Sequence, residues 1–249
     1  QDPSGKYWFG TGKGMALYNP ALKEEDRIKL NGFPPALEGI QVYIIRPDGN
    51  ENVWIATSGD EVYRYDMVEK NYRYDLDLNA SLRSLRIGAM TTDQRGNLWI
   101  GTDRALILWD VKRKESQTFT QINGLTGNNI TTLFCDSRGC LWIGTEERNG
   151  LTKHIPGSNE FTSVTFRSDV HPTAITETPD GIIWVGTIDG LYGLKNDAVI
   201  KKISEADGLL MNSVNLLQSD RSGNLFIGTN LGLNRYDSNT GKISSFNEK

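Results

Sequence analysis

Along most of the chain, apolar and polar residues alternate in short runs separated by clusters of Asn, Asp, Ser and Gly. Ile130-Thr131-Thr132-Leu133-Phe134-Cys135 is one such run, and Asp136-Ser137-Arg138-Gly139 is the cluster that follows it. A period of two, carried by β-branched and aromatic residues, predicts strands. The clusters predict tight turns, because Asp bonds its own backbone and Gly supplies a positive φ. No helical periodicity competes, so the chain is expected to be all-β.

The runs recur as a unit. Gly139-Cys140-Leu141-Trp142-Ile143-Gly144-Thr145 has counterparts at Gly96–Thr102, Gly181–Thr187, Gly223–Thr229 (with Phe226 for Trp) and Gly5–Thr11, and a degenerate one at Glu51–Thr57. The aromatic positions are 8, 54, 99, 142, 184 and 226, spaced by 46, 45, 43, 42 and 42 residues. Each copy is preceded by an alternating run and a turn, and followed by two more runs, as in Gly232-Leu233-Asn234-Arg235-Tyr236 and Lys242-Ile243-Ser244-Ser245-Phe246. Four short antiparallel strands per repeat make one blade of a β-propeller. A lone blade cannot bury both faces, so blades must stack, and Trp8, Trp54, Trp99, Trp142, Trp184 and Phe226 are the bodies suited to that contact. The Gly after each Trp-Ile pair is expected to admit a neighbouring strand.

The expected fold is therefore a β-propeller with six visible blades, at 1–38, 39–82, 83–127, 128–169, 170–211 and 212–249 of a single domain or fragment. The first blade lacks its inner strand, which would end at Gln1-Asp2. The 23 strands counted this way leave one strand wanting for a six-bladed ring and five for a seven-bladed one. Either the chain continues beyond these termini, the favoured reading, or the ring is open here with an edge that invites partner strands.

Composition narrows the function classes. The net charge is −4, with no block of like charges. Phosphate binding needs a positive face, so nucleic acid is not an expected partner. No apolar run is long enough to span a bilayer, and no signal peptide is read. Two Cys and two distant His are poor material for zinc, and neither metal nor cofactor is expected. Cys135 and Cys140 flank a hairpin turn, where a disulfide is one reading and two reduced thiols the other.

The full pattern resembles the two-component regulator propeller repeat, with Asp-x-x-Gly-x-Leu-Trp-Ile-Gly-Thr, then Gly-Leu and a basic-aromatic pair, then Asp-Gly-Leu before the next blade. Asn123-Gly124-Leu125 and Asp207-Gly208-Leu209 occupy the last place, and Asn31-Gly32-Phe33 is a looser copy. Blade 2 departs most: Ala56 replaces the motif Gly, and Glu61-Val62 replaces Gly-Leu. The resemblance implies a non-catalytic, periplasmic sensor region of a hybrid two-component regulator from a Bacteroidetes-type bacterium. In that family two seven-bladed propellers precede a β-sandwich, a membrane span and a histidine kinase, and many members respond to glycan breakdown products. The implied partners are a small-molecule or oligosaccharide ligand, the rest of the same chain and a second copy, with no membrane contact from this segment.

Propeller ligands bind on loops at the channel mouth, where sequence varies on a repeating scaffold. The loops between second and third strands hold Lys13, Asp60, Asp103, Arg104, Glu146, Glu147, Arg148, Asp189 and Asn230. Such charged and amide groups suit a sugar or a carboxylate, against the alternative of solvated loop residues. The blade 4 loop, Glu146-Glu147-Arg148-Asn149, is two residues longer than its counterparts. His171 stands where Asn128 and Asn212 stand in their blades, as a general base or as a side chain bonded to backbone. Asp2, Asp48, Asp93, Asp136 and Asp220 are read as turn residues at the opposite end. The rival functions are a streptogramin-lyase-like propeller enzyme, which would need groups converging on His171, and a protein-docking or adhesion propeller.

Overall fold

The alternating runs are strands in the computed structural model, which describes residues 5–24, 28–30, 39–48, 51–147, 150–158, 160–166 and 170–247. Among the described residues six antiparallel sheets follow one another. The first joins β1 (Tyr7–Thr11), β2 (Gly14–Tyr18) and β3 (Ile28–Leu30). The second joins β4 (Val42–Pro47), β5 (Asn52–Thr57), β6 (Val62–Asp66) and β7 (Asn71–Tyr74). The third holds β8 (Ile87–Thr92), β9 (Leu98–Thr102), β10 (Leu106–Asp110) and β11 (Glu115–Phe119). The fourth holds β12 (Ile130–Cys135), β13 (Leu141–Thr145), β14 (Leu151–His154) and β15 (Phe161–Ser163). The fifth holds β16 (Pro172–Glu177), β17 (Ile183–Thr187), β18 (Gly190–Lys195) and β19 (Ala198–Ile203). The sixth holds β20 (Val214–Ser219), β21 (Leu225–Thr229), β22 (Gly232–Tyr236) and β23 (Ile243–Phe246). Within each sheet every strand pairs with its neighbour in sequence, the order of a propeller blade, and the fold is an all-β propeller of four-stranded antiparallel blades, three-stranded in the first. Asp2 and Asn31-Gly32-Phe33 lie outside the described residues.

The chain forms two compact units, residues 1–100 with 108–117 and residues 101–107 with 118–249. In the second unit, Trp142 of β13 packs with Ile175, Ile183 and Val185 of the next blade. One repeat later, Trp184 of β17 packs with Val214, Leu225 and Ile227. In the first unit Trp8 lies against the cluster of Met15, Val42, Val53 and Ile55, its ring 5.3 Å from that of Tyr65. The motif ring of one blade thus beds on the next, which is the contact the repeat predicts. Trp8 and Phe226, in the first and last sheets, are only half-buried, whereas Trp54, Trp99, Trp142 and Trp184 are buried. Close approach explains the motif glycine: a Cβ on Gly186 would stand 2.6 Å from Val214 Cγ1 of the following inner strand.

The all-β fold carries one short helix between blades. Leu76–Ser81 forms a short helix, α1, between β7 and β8. Asp75 caps it, its carboxylate accepting from the backbone N–H of Asp77 and Leu78 at 3.1 Å each. Leu78 and Leu82, four residues apart, are the buried anchors. The signal is one turn of amphipathic pattern, too short to register beside the strands.

The turn aspartates do more than turn the chain. Asp136 accepts from the backbone N–H of Arg138 (3.0 Å) and Cys140 (2.8 Å), and its second oxygen accepts the Trp142 indole N–H at 2.9 Å. Asp93 makes the same bond to Trp99 at 3.3 Å, and in the fifth sheet Thr178 Oγ1 takes that role for Trp184 at 3.1 Å. Six residues separate each pair, so the aspartate of the repeat supplies the polar partner that a buried indole needs. Trp54 has no such partner.

Asp220, with Phe226 six residues on, has no indole to hold and keeps the bond to the Asn four residues on that Asp93 also makes to Asn97. Its carboxylate accepts the Asn224 side-chain amide at 2.7 Å and the backbone N–H of Asn224 and Ser222, which hold its pKa below the usual carboxylate value. A folded-state pKa lowered in this way contributes stability above about pH 4 and loses it as pH falls through the folded value. Asp220→Asn should therefore flatten the acid limb of a urea-midpoint profile taken from neutral pH downward. An unchanged acid limb would count against the bonds to Asn224.

Cys135 and Cys140 are free thiols, so the disulfide reading is not what the structure holds. The hairpin register opposes Cys135 to Leu141, and side chains alternate faces along a strand, so Cys140 points away from Cys135. Burial pushes the Cys140 thiol pKa up.

Candidate functional site

The loops between second and third strands are built by the last residue of the motif. Thr187 Oγ1 donates to the Gly190 carbonyl at 2.8 Å and accepts the Asp189 N–H at 3.0 Å. Thr11, Thr102 and Thr229 close their loops in the same way onto Gly14, Ala105 and Gly232. These short closures hold the loop side chains at one end of each blade, and the structure shows where each predicted residue is tied.

In the second unit the ties diverge. Asp189 faces outward, accepting from Tyr192 Oη at 2.9 Å and Lys202 Nζ at 2.6 Å. Asn230 is bonded to the first strand of its own blade, through Asn215 Nδ2 at 2.5 Å. Asp103 and Arg104 are 3.8 Å apart, with the guanidinium largely exposed. Glu146 accepts from the Asn129 amide, and its backbone carbonyl accepts from His171 Nδ1 at 2.6 Å. His171 is thus tied to the preceding blade. Asn128 and Asn212, at matching places, accept the N–H of Gln121 and Glu205 at 2.8 Å each. Arg148 and Asn149 lie outside the described residues.

In the first unit Lys13 contributes only its backbone N–H, to Thr11 Oγ1 at 3.2 Å. Asp60 is different. Its Oδ1 accepts from the Ile87 N–H at 3.0 Å and from Tyr43 Oη at 3.2 Å. Beside it, Glu61 accepts from Tyr63 Oη at 2.9 Å and from Tyr74 Oη at 3.2 Å. Asn79 of α1 pairs its side-chain amide with both backbone groups of Val62, at 2.8 and 2.9 Å, fastening the helix to the start of β6. The β5–β6 loop, α1 and the segment Arg83–Arg86 enclose a cavity of about 560 Å³. The Arg83 guanidinium has no hydrogen bond or ion pair with a described residue, while Tyr74 is half-exposed at the rim. Burial first, then the neighbouring carboxylate, pushes the Tyr43 and Tyr63 phenols up, so both remain hydrogen-bond donors at neutral pH. Of the residues singled out from the sequence only Asp60 lines this cavity. Tyr74 and Arg83 carried no sequence signal, and Glu61 stood out only as a departure from the repeat's Gly.

The two-component regulator propeller family model matches residues 81–104, 124–147 and 167–189, each span running through an inner strand and the motif after it. Histidine kinase P4 of Formosa agariphila is 26% identical over 229 residues, covering 89% of this chain and 14% of its own length. The extracellular domain of BT4673 from B. thetaiotaomicron, a protein assigned to the hybrid two-component systems, superposes with a TM-score of 0.80 at 20% identity, over 100% of this chain and 32% of that one. A catalytically inactive virginiamycin B lyase from Staphylococcus aureus, with quinupristin, gives a TM-score of 0.74 at 15% identity, over 98% of this chain and 84% of that one. The chain thus spans about a seventh of the kinase and a third of the extracellular domain. No helix among the described residues is long and apolar enough to cross a membrane. Three spans of this chain, which hold the Asp93–Trp99 and Asp136–Trp142 pairs and the Thr187 closure, are thus similar to the repeat of the two-component regulator propeller family.

Proposed function

We propose that this chain is a non-catalytic propeller in the periplasmic sensor region of a hybrid two-component regulator, and that its ligand is a small molecule or oligosaccharide of glycan origin. The match of three repeats to the regulator propeller family carries the reading, and the histidine kinase covered over 89% of this chain supports it. Binding would act by differential affinity for two arrangements of the sensor, relayed through the remainder of the same chain or a second copy to an output module.

The lyase-like fold favours an enzyme as the second reading. On this chain His171 is engaged with the Glu146 carbonyl, a positioning bond and not a catalytic pair. The two readings separate in one pair of assays. A panel of neutral and acidic oligosaccharides should include a ligand that raises the melting temperature, by the equivalent of about 2.7 kcal/mol at a hundredfold excess over Kd. Stabilisation by none of the panel would sink the sensor reading. Metal-dependent turnover of a streptogramin, abolished in His171→Ala, would replace it with the enzyme.

A further inference from the structure

We propose that the cavity beneath α1, on the second sheet, is a binding site for an uncharged sugar ring. The inference rests on the sensor reading above and gives it a place and a ligand chemistry.

In the first, fifth and sixth sheets a glycine stands three residues after the motif Thr: Gly14, Gly190 and Gly232, with φ of 116°, 119° and 128°. A Cβ on Gly190 or Gly232 would lie 2.6 Å from the carbonyl oxygen of Ile203 or Phe246, in the fourth strand of the same blade. The fourth strand shuts that corner, and no side chain fits. In the second sheet the loop from Thr57 to Glu61 is one residue longer, Asp60 takes the left-handed conformation at φ 56°, and Glu61 stands where the glycine stands. The chain leaves β7 at Tyr74 and climbs into α1 instead of closing the corner. Ser84, on the far wall, is a second non-glycine residue in the left-handed region, at φ 64°. The third blade closes on Ala105 without lengthening its loop, whereas the second blade lengthens the loop and lines the resulting space with polar groups.

The lining selects the ligand. Asp60 and Glu61 are oriented by phenols and a backbone N–H, not neutralised by cations, so each keeps acceptor capacity. Arg83 and Arg86 line the same cavity, the Arg83 side chain lying within electrostatic reach of Tyr74. A bare anion would meet two carboxylates. An apolar molecule would strip water from four charges with nothing in return. Vicinal hydroxyls satisfy both sets at once, donating to the carboxylates and accepting from the guanidinium. The exposed faces of Tyr74 and Leu76 offer an apolar rest for the C–H side of a pyranose. The volume is within the range of small-molecule sites.

The test uses this chain with the methyl glycosides of glucose, galactose, mannose and xylose, and with glucuronate, titrated by protein-observed NMR. At least one neutral glycoside should shift resonances of residues 59–61 and 83–86. Arg83→Ala and Glu61→Gln should each weaken that binding tenfold or more, about 1.4 kcal/mol, while Asp189→Asn should leave it unchanged. Arg83 is exposed, so its variant should melt within about 0.5 kcal/mol of the wild type and report on binding. Shifts confined to other blades, or affinities untouched by both variants, would overturn this site while leaving the sensor reading in place. Binding by glucuronate alone would overturn the assignment of an uncharged ring. Silence from every sugar here, with oligosaccharide stabilisation in the thermal panel, would also refute the site.

Discussion

Trp142→Ala should lower the unfolding free energy by about 3–5 kcal/mol, the range for truncating a large buried aromatic. Trp142 is 1% exposed and packs across the junction of the fourth and fifth blades. Three losses combine. The ring leaves a void among Ile175, Ile183 and Val185. The buried Asp136 carboxylate loses its 2.9 Å indole donor. Lys153, buried with its Nζ 5.3 Å over the ring and 2.7 Å from Asp197, loses the surface it rests on. Trp142→Phe separates these terms, because it keeps most of the packing and deletes only the N–H; it should cost about 1–3 kcal/mol. Phe226→Ala is the comparison. Its ring is half-buried and has no polar tip, so it should cost less than about 2 kcal/mol. Urea unfolding of the three variants checks the order. Hydrogen exchange should show the loss of protection concentrated in β12–β17, since stability in a repeat array is summed from blades and their interfaces. A Trp142→Ala cost below about 1 kcal/mol would mean that the motif rings do not hold neighbouring blades together.

The same residues show how far the chain could be read beforehand. The spacing of Trp and Phe, with Asp and Gly on a fixed register, states the blade and the stacking contact, because both are set by short-range periodicity. What Asp136 and Asp93 do for Trp142 and Trp99 was not visible: turn chemistry alone explains an aspartate there, and only coordinates show its second oxygen reaching an indole six residues on. The site was harder for the opposite reason. Charged loop residues were picked by position, yet Asp189 and Asn230 are committed to different strands of their blades. The cavity beside Asp60 depends on α1, whose single turn gives too little periodicity to outweigh the surrounding strand signal, and on Arg83, which has no sequence mark of its own. Glu61 in the place of a glycine was legible as a departure from the repeat. That it opens space follows only once the closed corners of the other blades are known.

Gly190→Ala tests that closure directly and should cost about 2–6 kcal/mol. Two penalties add. A non-glycine residue at φ 119° is strained by about 1–3 kcal/mol. The new Cβ would stand 2.6 Å from the Ile203 carbonyl oxygen, a backbone atom that moves only with the end of β19, and overpacking of this kind costs about 1–3 kcal/mol. Gly232→Ala should behave alike, because its Cβ would meet the Phe246 carbonyl oxygen at the same 2.6 Å. Glu61→Ala, at the corresponding corner of the second blade, carries neither penalty. It removes only the acceptor for Tyr63 and Tyr74 and should cost about 1 kcal/mol. Chemical denaturation of the three variants settles the comparison. Equal costs at Gly190 and Glu61 would mean that the second blade is closed like the rest, and the opening that admits a ligand there would have no structural basis.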